Sequence, residues 1–335
     1  MAHPTAPTDH RRQTPAKRRA RSRYVRSGKP ARPYPLAHIA QGLDVLVALD
    51  RLGLLTNGQI RDLVFADASS PATGRPYGAA YARKLANLTC RRLWESGLLR
   101  RQSAILTSPR TGGPYLHFYS ILTPAGARAV AEHYAETGAG TPRWSRGLYD
   151  LGPQQIDHSL LINDVYVRLH RAAASAGFTL RDWQDDRQLM ALQRAGLTHF
   201  VTVPDGFFVL EAGGAPYGHF LEIDRGTEAQ TSARRPDRAW ARKIEGYGRY
   251  LTRLIADDPA FAASTSPIVL TVTLSPRRLE GLLATTRQAG GGGRYWFTTA
   301  AELLAGDDPD SSWAPLWRVP TDPAPRSLRD RLARS

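Results

Sequence analysis

Apolar residues recur at helical spacing from Leu43 onward, at Leu43, Leu46, Val47 and Leu49, which predicts a first helix ending near Gly53. Thr56 followed by Asn57 and Gln59 reads as a helix cap, with Ile60, Leu63 and Val64 on the core face of a short second helix. After a Ser-, Pro- and Gly-rich stretch from Asp67 to Gly78, AAYARKLANLTCRRLWESGLLRR predicts a third helix. Leu85, Leu88 or Thr89, and Leu93 point inward there, Arg83, Lys84, Asn87 and Arg91 point outward, and Gly97 stops it as a C-cap. SAILTSP and YLHFYSIL flank the turn RTGG as two strands, and Thr123 with Pro124 opens a further helix through Tyr134.

Three helices, a basic β-hairpin and a closing helix follow the order of a winged helix-turn-helix. In that arrangement the third helix enters the DNA major groove while Arg100, Arg101 and Arg110 on the wing hold phosphates. The alternative is a helical protein-interaction domain whose cations form a solvated face. The segment Gly138 to Gly152, rich in Gly, Pro and Thr, reads as a linker.

Beyond it the pattern changes. IDHSLLINDVYVRLHRAAASAG is an amphipathic helix closed by Gly177, and FTLRDWQDD, HFVTVPDGFFVLEA and APYGHFLEIDRGTE are strand-like. RPDRAWARKIEGYGRYLTRLIA reads as a helix, SPIVLTVTLS as a strand, PRRLEGLLATTRQAG as a helix and RYWFTT as a last strand. The order describes an α/β domain with a mixed sheet. Gly290 to Gly293 form a turn and not a phosphate loop, because no Lys-Ser or Lys-Thr follows.

Composition narrows the partners. The 335 residues are 42% hydrophobic, enough for a folded core, and carry a formal net charge of +15, which makes nucleic acid the first partner to consider. Ten cations lie between Arg11 and Arg32 against a single acid, Asp9, in the first 35 residues. This segment reads as a disordered basic arm, or alternatively as a solubilising tail of an arginine-rich composition. No apolar run approaches a membrane span and no signal peptide is apparent, so the expected location is cytoplasmic, without a membrane partner. A single cysteine, Cys90, and nine scattered histidines exclude a disulfide framework and a CxxC-type zinc site. RNA has no supporting RNP-like strand or KH-type loop, and no heptad points to an oligomer.

The candidate chemistry is acidic. Asp205 stands in VPDGFF at the start of one strand, and Glu222 and Asp224 alternate in LEID on the next, sharing a face. If those strands pair, three carboxylates converge, and such an oxygen-only set suits Mg²⁺ or Mn²⁺ and phosphodiester hydrolysis. Glu228 follows in RGTE. Lys243, one of only four lysines among 45 basic residues, comes from the next helix, with Tyr247 one turn beyond. The bland alternative is that PDG is a turn, LEID an ordinary strand and Lys243 a surface residue; Tyr247 and Tyr250 then pack the helix or touch DNA. Asp164 on the preceding helix is a weak additional acid, and His158 beside it reads as a hydrogen-bonded helix-start residue. No GxSxG nucleophile motif is present.

HSLLINDVYVRL, the tryptophan strand, PDGFFVL, FLEIDRGTE and ARKIEGYGRYL together resemble the replication-relaxation family of bacterial plasmids and integrative elements, over roughly Leu43 to Leu274. The resemblance implies a winged helix joined to a PD-(D/E)XK-nuclease-like α/β domain, acting in plasmid replication, DNA relaxation or mobilisation. In that fold an acid on the second strand and an acid-x-lysine pair on the third build the metal site. Asp205 and Glu222 match the acids, and Asp224 stands where the lysine belongs, so Lys243 would have to supply the cation from the helix, as migrated lysines do in some relatives. The implied division is a basic arm (1–37), a winged helix (38–137), a linker (138–154), the nuclease-like domain (155–305) and a C-terminal tail (306–335). Two functions stay open: a metal-dependent nuclease or nickase, and a catalytically inactive DNA-binding accessory protein that recruits a replication or conjugation partner.

Overall fold

The structure, a computed structural model, describes residues 34–69, 74–107, 113–198, 200–226, 240–255, 258, 261 and 265–332. The basic arm, Arg110 and Glu228 lie outside the described residues.

Helix α1 (Gly42–Leu52) buries Val45, Leu46, Leu49 and Leu52, as its spacing predicts, and a short strand β1 (Leu54–Thr56) follows. Thr56 caps α2 (Asn57–Ile60) reciprocally: its hydroxyl accepts from Gln59 N, and the Gln59 side chain accepts from Thr56 N. Helix α3 (Ala79–Glu95) turns the expected face inward, with Thr89 and not Leu88 in the core and Arg83, Lys84, Asn87 and Arg91 exposed. Ala82, Ala86, Thr89, Cys90 and Leu93 are buried, whereas Leu85 is half-buried and Leu88 is 39% exposed. Gly97 (φ +75°) ends the helix as expected, with Leu98 N reaching back to Leu93 O at 2.9 Å.

Strands β2 (Leu99–Thr107) and β3 (Pro114–Leu122) form an antiparallel hairpin, with β1 on the other side of β3, in the order β1-β3-β2. Helix α4 (Pro124–Thr137) closes this half, capped by Thr123.

The second half holds α5 (Pro153–Ser175), β4 (Thr179–Asp185), α6 (Asp186–Arg194), β5 (Gly206–Ala212), β6 (Ala215–Asp224), α7 (Trp240–Arg249), β7 (Thr265–Thr273), α8 (Pro276–Gln288), β8 (Tyr295–Thr299) and α9 (Ala300–Leu303). Its five strands lie in the order β4-β5-β6-β7-β8, antiparallel through β6 and parallel from β6 to β8, so the fold is α/β with a mixed sheet. Helix α6 was not expected. Its signals were present in Asp185 and Gln188, a reciprocal capping pair, and in Leu189 and Leu192, which pack on one core cluster.

Two segments expected as loose connections are packed. In the 138–154 segment, Trp144 Nε1 and Tyr149 OH both donate to Leu122 O, at 3.0 and 2.7 Å, and Leu148 is buried. Residues 306–332, expected as a tail, bury Trp313, Trp317, Val319, Leu328 and Leu332, the last two on α10 (Leu328–Leu332). Arg318 pairs its backbone with Phe297 of β8 in both directions at 2.8 Å. Both segments carry large aromatic residues, whose burial outweighs the Gly and Pro content around them.

The halves share a core. Buried residues from α1 and α3 pack in one cluster with those of α5, the sheet and the C-terminal segment. Asn163 of α5 donates to Leu54 O at 2.7 Å and to Leu52 O at 3.3 Å, satisfying the chain between α1 and β1. Asp50, 1% exposed, accepts from the backbone N–H groups of Arg143 and Trp144 at 2.9 Å. Asp50→Ala strands both donors, and a loss of about 2–5 kcal/mol in unfolding free energy is expected by urea titration.

Candidate functional site

Strand pairing brings the predicted acids together. Asp205 immediately precedes β5, and its N–H donates to Leu221 O at 3.0 Å while its Oδ2 accepts from Ile223 N at 2.7 Å. These bonds pin the carboxylate across the β5–β6 pair beside Glu222. Asp205 Oδ1 lies 3.1 Å from His158 Nε2 on α5. Burial opposes charge on both groups, but their mutual hydrogen bond and attraction prevail. His158 is held above the usual histidine range, and Asp205, also facing Lys243, below the usual carboxylate range.

Glu222 points to the opposite sheet face from its neighbours Leu221 and Ile223, toward α7. Lys243 Nζ lies 2.8 Å from its Oε2, and Tyr247 OH donates to its Oε1 at 2.6 Å. Burial pushes the Glu222 carboxyl up to about 7, reinforced by the charge of Asp205 and resisted by Lys243 and Tyr247. Burial and the Glu222 charge likewise keep the Tyr247 phenol protonated.

Asp224 faces the same cleft but is engaged otherwise. Arg278 of α8 grips both its oxygens, at 3.0 and 2.7 Å, and Gly226 N donates to Oδ1 at 2.6 Å. The position that the resemblance reserves for a lysine therefore holds a carboxylate bound to an arginine that sequence spacing did not associate with it. His158, read from sequence as a hydrogen-bonded helix-start residue, and Tyr247, read as helix packing or a DNA contact, both touch the acids. Asp186, first residue of α6, also lines the cleft, its carboxyl raised by burial and by the charges of Asp185 and Asp205. No sequence signal marked it.

Asp164 is not brought to this cleft. It accepts from Gln59 Nε2 at 2.7 Å beside a separate pocket bordered by Arg61, Arg168 and Arg171, and burial raises its carboxyl to about 7.

Asp205, Glu222, Lys243 and His158 share a cleft of about 440 Å³, walled on the side of the first half by Leu52, Leu54, Leu148 and Leu151. Among the described residues, no three His, Cys, Asp or Glu side chains stand close enough together to form a metal cage. Mg²⁺ does not require one, since it binds through one or two carboxylates with water and phosphate oxygens completing its shell. Asp205 and Glu222 fit that role: each carboxylate oxygen accepts one hydrogen bond and keeps a lone pair. Burial and Asp205 together disfavour a charged Glu222, a cost that a cation would offset.

Of the predicted DNA contacts, Arg83, Lys84, Asn87 and Arg91 are exposed on α3, with Arg91 paired to Glu95 at 2.8 Å and Asn87 Oδ1 accepting from Asn57 at 2.7 Å. Arg100 lies on β2 beside an aromatic ring. Its guanidinium packs 4.9 Å from the ring centre of Tyr149, while Arg101 is half-buried on β2.

No helix among the described residues is long and apolar enough to cross a membrane. No curated protein matches the chain. Solved structures of the restriction endonuclease FokI align at low similarity. The DNA-bound one has 11% identity and a TM-score of 0.22, covering 79% of this chain and 68% of that one. Another FokI structure has 13% identity and a TM-score of 0.21, covering 79% and 69%. Likenesses at these TM-scores carry no argument about this site. Residues 46–260, well over half of the sequence, match the replication-relaxation family, and the chain belongs to that family.

Proposed function

We propose that this protein is a DNA-binding protein of a plasmid or mobile element that acts in replication, relaxation or mobilisation through a metal-dependent phosphodiesterase site. The observation that carries this reading is the convergence of Asp205, Glu222 and Lys243 in one cleft, on a β5–β6 pair that fixes the carboxylates. Asp205 and Glu222 would hold Mg²⁺ or Mn²⁺, which when bound supplies Lewis-acid polarisation of a phosphate. The chain's own groups do the rest. His158 orients Asp205, Tyr247 fixes the Glu222 carboxylate, and Lys243 places a compact cation beside it, within reach of a non-bridging phosphate oxygen. In hydrolysis, a water oxygen bonds to phosphorus, one ester P–O bond breaks, and the leaving oxygen takes up a proton. Incubation of purified protein with supercoiled plasmid and Mg²⁺ or Mn²⁺, with EDTA as control, tests this. Nicked or linear product supports it, and intact plasmid at every metal concentration counts against it.

We read α1 to α3 with the β2–β3 hairpin as the winged helix, with α3 in the major groove. The exposed row of Arg83, Lys84, Asn87 and Arg91 supports that reading. Arg83→Ala and Lys84→Ala are each expected to weaken binding across all sequences and to lower the salt slope of log K by about 1, measured by anisotropy titration over a salt series.

A specific observation favours the alternative, an accessory protein without catalysis. Asp224 occupies the lysine position and is bound by Arg278, and every oxygen of Asp205 and Glu222 already has a partner within the chain. Under that reading the protein shifts plasmid without cutting it and recruits a replication or conjugation protein.

A further inference from the structure

We infer that one face of the β2–β3 hairpin is an apolar DNA-contact strip, in which Ile105, Leu116 and Phe118 press on the sugars and base edges of the duplex that α3 engages. The inference rests on the reading of α3 and the hairpin as a winged helix and names what the hairpin touches.

Register builds the strip. Leu99 pairs with Leu122, Arg101 with Ser120, Ser103 with Phe118 and Ile105 with Leu116, and residues directly opposite one another share a face of the sheet. The first pair is buried in the core with residues of α1 and α3, and Ser120 is buried next along that face. Farther out on the same face Phe118 is 50% exposed, Leu116 58% and Ile105 70%. The opposite face is closed, since Leu106, Tyr119 and Ile121 pack with Leu148, Ile156 and Leu160. One exposed apolar residue needs no explanation, but three adjoining ones on one face mark a contact surface.

Position and charge name the occupant. Strand β1 ends at Thr56 opposite Tyr119, the chain neighbour of Phe118, and the next residue, Asn57, donates to Asn87 of α3 at 2.7 Å. The strip therefore borders the exposed row of α3. Helix α3 and the described part of the hairpin together carry six Lys and Arg against one acid, Glu95, which is paired with Arg91. Such a surface attracts a polyanion, whereas a second copy of a chain with net charge +15 would set like charges against each other. The strip itself offers a phosphate nothing. Arg100 lies on the other face against Tyr149 and Arg101 is half-buried at the base, so the hairpin meets the duplex through methyl groups and an aromatic ring. These suit thymine methyls and the apolar walls of a groove. A contact of this kind releases no counterions, so it adds affinity without adding salt dependence.

The test uses the full chain and the labelled duplex pool that it enriches from a random-core library, with EDTA present and affinity read by anisotropy over a salt series. The triple variant Ile105→Ser, Leu116→Ser, Phe118→Ser is expected to bind the pool on the order of 10²-fold more weakly at unchanged salt slope. Its thermal melting should be unchanged, because all three side chains are exposed in the free chain. Phe118→Leu, which keeps the position apolar, is expected to stay within about threefold of the parent chain. Triple-variant affinity equal to that of the parent, or a loss accompanied by a smaller salt slope, overturns the inference. So does a parent chain that sediments as a dimer without DNA and becomes monomeric in the triple variant, which would assign the strip to a second copy. If Arg83→Ala and Lys84→Ala leave affinity and slope untouched while the triple variant still weakens binding, the placement of α3 fails and the strip stands. Failure to enrich any duplex overturns both.

Discussion

Asp205→Ala and Glu222→Ala are each expected to lower Mn²⁺-dependent nicking of supercoiled plasmid by on the order of 10³-fold while leaving affinity for the same plasmid within about twofold. The expectation follows from position. Both carboxylates lie in the recessed cleft, far in sequence from the exposed cations of α3, so chemistry and binding should separate. Equal loss of nicking and binding in these variants would mean that the acids hold the fold, and persistence of nicking would place the chemistry elsewhere.

The same site carries a pH signature. The Glu222 carboxyl titrates near 7, well above the ordinary 4.5, because burial and Asp205 disfavour its charge. Below that pH it holds a proton and offers a weaker ligand, and above it the carboxylate is free to bind a cation. Nicking is therefore expected to rise through about pH 7 and then level off. Because the folded state binds this proton more tightly than the unfolded chain, the stability it contributes is fully present below about pH 4.5 and is lost as pH rises through about 7. Added Mn²⁺ should restore stability on the alkaline side, so the thermal shift on adding metal should be larger at pH 8 than at pH 6. That melting experiment does not depend on turnover.

The second large effect concerns the C-terminal segment. Trp317, fully buried in the core shared by both halves, is expected to cost about 3–5 kcal/mol when changed to alanine, read by chemical unfolding. A chain ending at residue 305 removes Trp313, Trp317, Val319, Leu328 and Leu332 together, and with them the Trp313 Nε1 bond to Ala172 O at 3.0 Å. Their combined loss exceeds the stability of an ordinary domain, about 5–15 kcal/mol, and such a chain should fail to fold. A cooperative melt close to that of the full chain would refute this.

The sequence by itself determined the elements whose information is local. The Thr56–Gln59 cap, the Gly97 stop and the alternation of Glu222 and Asp224 on one strand each depend on residues within a few positions, and periodicity or capping chemistry reads them directly. LEIDRGTE and its neighbouring phrases carried the family. Only the tertiary structure decided which side chains meet. Register between β5 and β6 sets Asp205 beside Glu222, helix packing brings Tyr247 and Lys243 onto the same carboxylate, and α8 delivers Arg278 to Asp224 across more than 50 positions. Asp164, on the helix that carries His158, was sent instead to Gln59. The burial of residues 306–332 was decided there too. It depends on the shape of the surface opposite, and a one-dimensional pattern of apolar positions does not record what an apolar residue will face.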